Sequence, residues 1–182
     1  MNLLRFESVA CRRGGRQLFE ALNLALGPGE ALHVTGPNGS GKSSLIRIAA
    51  GLLRPECGTV ESSSAALAND DPALDRELPL GSALAFWGGD VDAGLEALRL
   101  AELRHVQVRL LSSGQRKRAT LARVAASGAP LWLLDEPLNG LDSEGAQLLN
   151  ALLENHRSAG GAILAASHVE LPGQWRRLGL EL

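Results

Sequence analysis

At 182 residues the chain has the length of one compact domain with a real hydrophobic core, and two unrelated full domains would be crowded. Its 18 Lys plus Arg against 20 Asp plus Glu give a formal net charge of -2, which offers no global attraction to nucleic acid or to an anionic lipid surface. Two cysteines, Cys11 and Cys57, are too few for a disulfide framework and lack the spacing of a zinc site, which points to a reducing, cytosolic compartment. The N-terminal stretch carries Arg5 and Glu7 inside its only apolar run, so it reads as neither signal peptide nor membrane span, and no other stretch approaches about 18 uncharged apolar residues. Leu3 to Val9 and Arg16 to Leu26 alternate around Gly14 and Gly15 and predict a pair of strands. Ala31 to Thr35, short and apolar, predicts a buried strand. From Lys42 the period changes: Leu45, Ile46, Ile48, Ala49, Leu52 and Leu53 fall near helical spacing, closed by Pro55 and Gly58. Residues 69–94 hold Pro72, Pro79 and the acids Asp70, Asp71, Asp75, Glu77 and Asp90, and predict loops with one short helix. Leu95 to Leu103 and Ser113 to Ala126 predict helices, the second capped by Ser112 and Ser113 and ended near Gly128, Ala129 and Pro130. Leu131 to Leu134 is an apolar strand running into Asp135 and Glu136, Ser143 to Ser158 is helical, and Ala162 to Ala166 is a further buried strand ahead of His168. Strands that alternate with helices and end in polar residues imply a parallel α/β sheet with its site at the carboxyl edge.

Between the third strand and the first helix lies Gly36-Pro37-Asn38-Gly39-Ser40-Gly41-Lys42-Ser43, followed by Ser44. It matches GxxxxGK[ST] at every fixed position, in the strand-loop-helix context the motif requires. Glycines let the main chain curl until successive amide N–H groups point inward, and a helix N-terminus adds partial positive charge at the same place. Lys42 brings a full charge toward the outer phosphates, and the Ser43 hydroxyl suits magnesium. This is the phosphate loop of the P-loop NTPases, which alone fits kinases, GTPases, helicases and transport motors equally. Leu131-Trp132-Leu133-Leu134-Asp135-Glu136 supplies a second part: Asp135 emerges at a strand end near the expected cation, and Glu136 is placed to orient or deprotonate an attacking water.

Leu111-Ser112-Ser113-Gly114-Gln115 resembles the signature motif of the ATP-binding cassette family, with Ser113 where the usual form has glycine. Together with the phosphate loop, Leu134-Asp135-Glu136-Pro137 and Ser167-His168, it makes the resemblance specific, spanning the chain from near residue 11 to residue 168. The resemblance implies a P-loop NTPase with a cassette-type ATPase core, an N-terminal antiparallel β subdomain and a small inserted helical lobe at about 70–128, all in one domain over 1–182. It implies ATP and Mg2+ as ligands, His168 as a switch residue at the γ-phosphate, and Asn139-Gly140-Leu141-Asp142 as a loop communicating between two nucleotide sites. Ser112, Ser113, Gly114 and Gln115 would complete the site of a second ATPase subunit in a nucleotide-sandwich homodimer. Arg116, Lys117 and Arg118 otherwise pass as a solvated basic face, and His33, His105 and His156 match no motif.

Two positions depart from the family pattern. Where an aromatic residue usually stacks on adenine, the chain reads Cys11-Arg12-Arg13-Gly14-Gly15, and Arg13 is the candidate to stack its guanidinium on the base. Where a glutamine usually follows the strand after the first helix, the chain reads Ala68-Asn69-Asp70-Asp71-Pro72, and Asp71 is expected in its place as a magnesium ligand. Cys11 ahead of an arginine pair, Leu18-Phe19 and Trp132 resemble, within the family, the ATP-binding subunits of bacterial haem exporters of cytochrome c maturation. That implies a peripheral ATPase on the cytoplasmic side of the inner membrane, bound to integral membrane transporter subunits, with no direct membrane insertion and no nucleic-acid partner. The chain leaves no room for a second cassette or a fused membrane domain, so it is expected to act as one subunit. Rival expectations are the motor of another transporter, a soluble cassette ATPase, or a regulatory module that binds ATP without hydrolysing it.

Overall fold

The computed structural model describes residues 2–180. Gly14 and Gly15, at φ 55° and 79°, turn Leu4–Arg13 (β1) back into the antiparallel Arg16–Leu26 (β2). Ala31–Thr35 (β3) leads through the glycine loop into Lys42–Ala49 (α1), after which Cys57–Ser62 (β4) pairs with the free edge of β1 to complete a three-stranded sheet. Ala65–Ala68 (β5) leaves for the second sheet. Leu80–Ala85 (α2), Val91–Ala97 (α3), two 3-10 turns at Ala101–Leu103 and Val108–Leu110, and Ser113–Ala126 (α4) then form a helical group. Leu131–Asp135 (β6), Ser143–Ser158 (α5), Ala162–Ala166 (β7) and Arg176–Gly179 (β8) complete a five-stranded parallel sheet of order β5-β6-β7-β3-β8.

The centre of the parallel sheet is covered on both faces, which is why β6 and β7 read as apolar runs. Side chains still alternate: Leu131, Leu133, Ala162 and Leu164 join the core shared with α1, β1 and β2, whereas Trp132, Leu134, Ile163 and Ala165 join the core shared with α4 and α5. Cys11 is buried and Cys57 exposed, both as free thiols. Among the described residues no helix is long and apolar enough to cross a membrane.

Three departures from expectation have physical causes. The helix expected over Leu95 to Leu103 instead runs Val91–Ala97, because the Asp90 carboxylate accepts the Ala93 N–H at 3.0 Å and starts it earlier, and Arg99 at φ 52° ends it. Leu95, Leu98 and Leu100 are all buried, so their spacing reported a core and not a continuous helix. The first helix stops at Ala49, which leaves Leu52 69% exposed. The strands β4 and β8 carry little apolar signal because both are mostly exposed edge strands.

His156 stacks on Trp132 with ring centroids 3.7 Å apart, and burial holds its pKa down; burial does the same to His33, beside Ser167 and Trp175. The unfolded chain therefore takes up protons first as pH falls through about 6.5, and the stability these rings contribute is present above that pH and lost below it. The thermal midpoint should fall between about pH 7.5 and about pH 5.5, and His156→Phe, which keeps the stack, should fall less; an equal fall in both would show that His156 does not contribute.

Candidate functional site

Register sets the site. Val34 of β3 lies level with Ala166 of β7, and Ala166 lies level with Asp135 of β6, so the chain leaves three adjacent strands at one height. Because β7 sits between β3 and β6, the Ser167-His168 step falls between the glycine loop and the two acids. One cavity of about 540 Å³ collects Arg13, Lys42, Ser43, Ser44, Glu136 and His168.

The loop itself needs its glycines. Gly36 has φ 145°, and a Cβ there would lie 2.5 Å from the Leu180 carbonyl oxygen and 2.8 Å from Ser40 Oγ. Gly39 and Gly41 also have positive φ, at 83° and 104°. Pro37 and Asn38 complete the bend, with the Ser40 N–H donating to the Pro37 carbonyl at 3.2 Å. Lys42 is buried, and its Nζ donates to the carbonyls of Gly36 and Pro37 at 2.7 and 3.1 Å, so the ammonium is folded over the loop. Helix α1 begins immediately after Gly41 and has no acidic residue in its first turn, leaving its positive end uncompensated by side chains.

Asp135 is half-buried, and burial pushes its pKa up; the Ser43 hydroxyl that faces it pulls the other way. Its Oδ1 and the Ser40 Oγ are buried without a protein partner. Among the described residues no three His, Cys, Asp or Glu side chains converge as a metal site. An under-compensated carboxylate beside a hydroxyl is a hard-oxygen pair that fits magnesium, provided phosphate oxygens and water complete the coordination.

Glu136 occupies left-handed backbone space at φ 48°, a conformation that costs a non-glycine residue about 1–3 kcal/mol and persists only when its surroundings hold it. Its N–H donates to the Ala166 carbonyl at 2.8 Å. Its carbonyl accepts from Lys117 Nζ at 2.9 Å and from the Asn139 N–H at 3.2 Å. Its Oε2 lies 2.8 Å from His168 Nδ1 and accepts the Ser167 hydroxyl at 3.3 Å. The carboxylate thus faces the cavity in a fixed direction while His168 remains half exposed beside it.

Other expected residues fall elsewhere. Ser112 and Gln115 form a reciprocal capping box at the start of α4, and Ser113 lines a separate cavity of about 340 Å³ with Asp70, Lys117 and Asn139. These signature residues, with Gly114 between them, do not line the glycine-loop cavity of their own chain. Asp142 spends its carboxylate on the Gly145 N–H at 2.7 Å as the cap of α5, and it lines neither of these cavities. Asp71 is a correction: its carboxylate accepts the Ala73 N–H at 2.9 Å, and it lines a third cavity of about 1040 Å³ with Leu52, Trp87 and Arg123, away from the phosphate loop. The turn before Pro72 instead places Asp70 at the cavity that Ser113 lines, 3.8 Å from Lys117 Nζ. Lys117 is a second correction, since its side chain is 9% exposed and its pKa is held down by burial. Helical periodicity over α4 was the signal available for it, because Lys117 stands one turn ahead of the buried Thr120 and Leu121 and two ahead of Val124.

This architecture, with a glycine loop and an acid pair at one sheet edge, defines a nucleotide-binding α/β ATPase. Residues 19–139 match the ABC transporter family, and the chain belongs to that family. It is 52% identical to the cytochrome c biogenesis ATP-binding export protein CcmA of Sphingopyxis alaskensis, over 93% of this chain and 91% of that one. It is 57% identical to the protein of the same name from Novosphingobium aromaticivorans, over 90% and 87% of the two chains. Among solved structures, the ATP-binding subunit of an ABC transporter superposes with TM-score 0.84 at 22% identity, covering 92% of this chain and 80% of that one.

The two glycines at 36 and 39 should respond differently to a methyl group. Gly39 has open space, so Gly39→Ala should cost the about 1–2 kcal/mol of left-handed backbone. Gly36→Ala meets a backbone oxygen and should cost more, with weaker nucleotide binding. Denaturant titrations giving the reverse order would contradict this account of the loop.

Proposed function

We propose that the chain is the ATP-hydrolysing subunit of a membrane export complex serving cytochrome c biogenesis, with haem delivery as the process its turnover drives. The observation that carries the reading is the convergence of Lys42, Ser43, Glu136 and His168 on one cavity, in a chain more than half identical to relatives named for that role. One cassette would occupy 1–182, with its helical lobe at about 70–128, bound peripherally to the cytoplasmic side of the inner membrane.

In this mechanism the backbone N–H groups of Gly39, Gly41, Lys42, Ser43 and Ser44 and the Lys42 ammonium neutralise the phosphate charge of ATP. Ser43 and Asp135 are the residues that would hold magnesium, which supplies positive charge against the phosphate oxygens. Glu136 accepts a hydrogen bond from the O–H of the attacking water and turns it toward the γ-phosphate, with His168 fixing the carboxylate's direction. Arg13, at the tip of the β1-β2 turn, covers the base. Ser112, Ser113, Gly114 and Gln115 of a second copy close over the nucleotide, which accounts for a signature that lies outside its own chain's cavity. The cavity of about 1040 Å³, with exposed Leu52 and Trp87 and with Phe86 beside Trp87, suits an apolar segment of the membrane subunits.

Glu136→Gln should slow hydrolysis by about 10²- to 10⁴-fold while ATP still binds; unchanged turnover with the membrane partners present would reject the role. Membrane pull-downs should recover cytochrome c maturation proteins, and recovery of an unrelated permease would reassign the transport system. Arg13→Ala should weaken the preference for ATP over other nucleoside triphosphates in competition titrations, and an unaltered preference would remove Arg13 from the base site.

A further inference from the structure

Lys117 is a nearly buried cation that the hydrolysis scheme above leaves unused. It projects from α4 one turn beyond Ser113, yet its Nζ donates across to the Glu136 carbonyl at 2.9 Å, with Asp70 Oδ1 at 3.8 Å. Among the described residues, three kinds of restraint act on the left-handed backbone and side chain of Glu136. Ala166 holds its N–H, Lys117 and the Asn139 N–H hold its carbonyl, and Ser167 with His168 holds its carboxylate. Lys117 alone among these belongs to α4, the helix whose first residues are the signature. The Ser112–Gln115 capping box and a continuous helix from Ser113 to Ala126 make that segment one rigid piece.

We propose that Lys117 is a positioning residue for hydrolysis: it ties the signature helix to the backbone of Glu136, so that displacement of the helix at Ser113 moves the carboxylate that orients water in the same chain. This rests on the reading of Glu136 and the signature given above. Seating of Ser113 on the nucleotide of a second copy would then set the angle of Glu136 in the first, and each site would report its closure to the other. The neighbouring arginines do not share this role, since Arg116 bonds the Leu111 carbonyl and Arg118 the Leu98 carbonyl at 3.4 Å, both within the helical group.

Lys117→Met keeps the aliphatic stem in its buried slot and removes the donor, and Lys117→Arg keeps a donor and a charge. With the full complex and ATP, Lys117→Met should lower kcat by up to about 10²-fold, the scale of a misplaced catalytic group, while ATP affinity and thermal midpoint change little. The cooperativity of turnover in ATP concentration should fall with it, and Lys117→Arg should recover part of both. Unchanged kcat and cooperativity in Lys117→Met, with wild-type turnover intact, would overturn this proposal alone. A fall in kcat matched by collapse of the thermal midpoint in both variants would also overturn it, as a packing role. Absence of turnover in the wild-type complex would overturn the parent reading, and this one with it.

Discussion

The register of three parallel strands governs everything that follows in this molecule. Val34, Ala166 and Asp135 stand side by side, so the main chain leaves β3, β7 and β6 at a single height and delivers the glycine loop, His168 and the acid pair to one edge. A slip of one residue in β7 would turn Leu164 from the α1 core to the α5 core and carry His168 about 3.3 Å along the strand, outside hydrogen-bonding reach of Glu136. Burial on both faces makes that slip costly. The hydrophobic core thereby acts on the chemistry, because the energy that fixes side-chain alternation also fixes the separation of lysine, carboxylate and imidazole.

At the edge itself, backbone rigidity and charge divide the work. The phosphate loop is held by glycine conformations that no other residue adopts without strain, and by a lysine bonded to its own loop carbonyls. The acid side is held by neighbours: β7 grips Glu136 through Ala166, α4 grips it through Lys117, and the segment after β6 grips it through Asn139. Two elements that are distant in sequence, β7 and α4, therefore converge on one residue, whereas the loop that faces it is almost self-sufficient.

That contrast explains what could be read from the amino-acid order. The phosphate loop was legible because its geometry is local, and β3, β6, β7, α4 and α5 were legible because buried strands and capped helices leave periodic or punctuated patterns. Edge strands such as β4 and β8 leave almost none, since an exposed strand has no apolar face to betray it. The helical group misled for the opposite reason: Leu98 and Leu100 are core residues on irregular backbone. Asp71 and Asp70 differ only in which way a turn before a proline points them, and nothing in the order of the two acids encodes that direction. Lys117 looked like one member of a solvated basic run until tertiary packing put a backbone oxygen above it.

The left-handed backbone at Glu136 carries an implication for how such a chain drifts over generations. Glu136→Gly would relax about 1–3 kcal/mol of conformational strain, at the loss of the carboxylate proposed above to orient water and of its bonds to Ser167 and His168. On the proposed role of Glu136, backbone ease and turnover pull in opposite directions at this single position. Inactive descendants of the lineage, once released from the need to hydrolyse, would be expected to accumulate replacements here first.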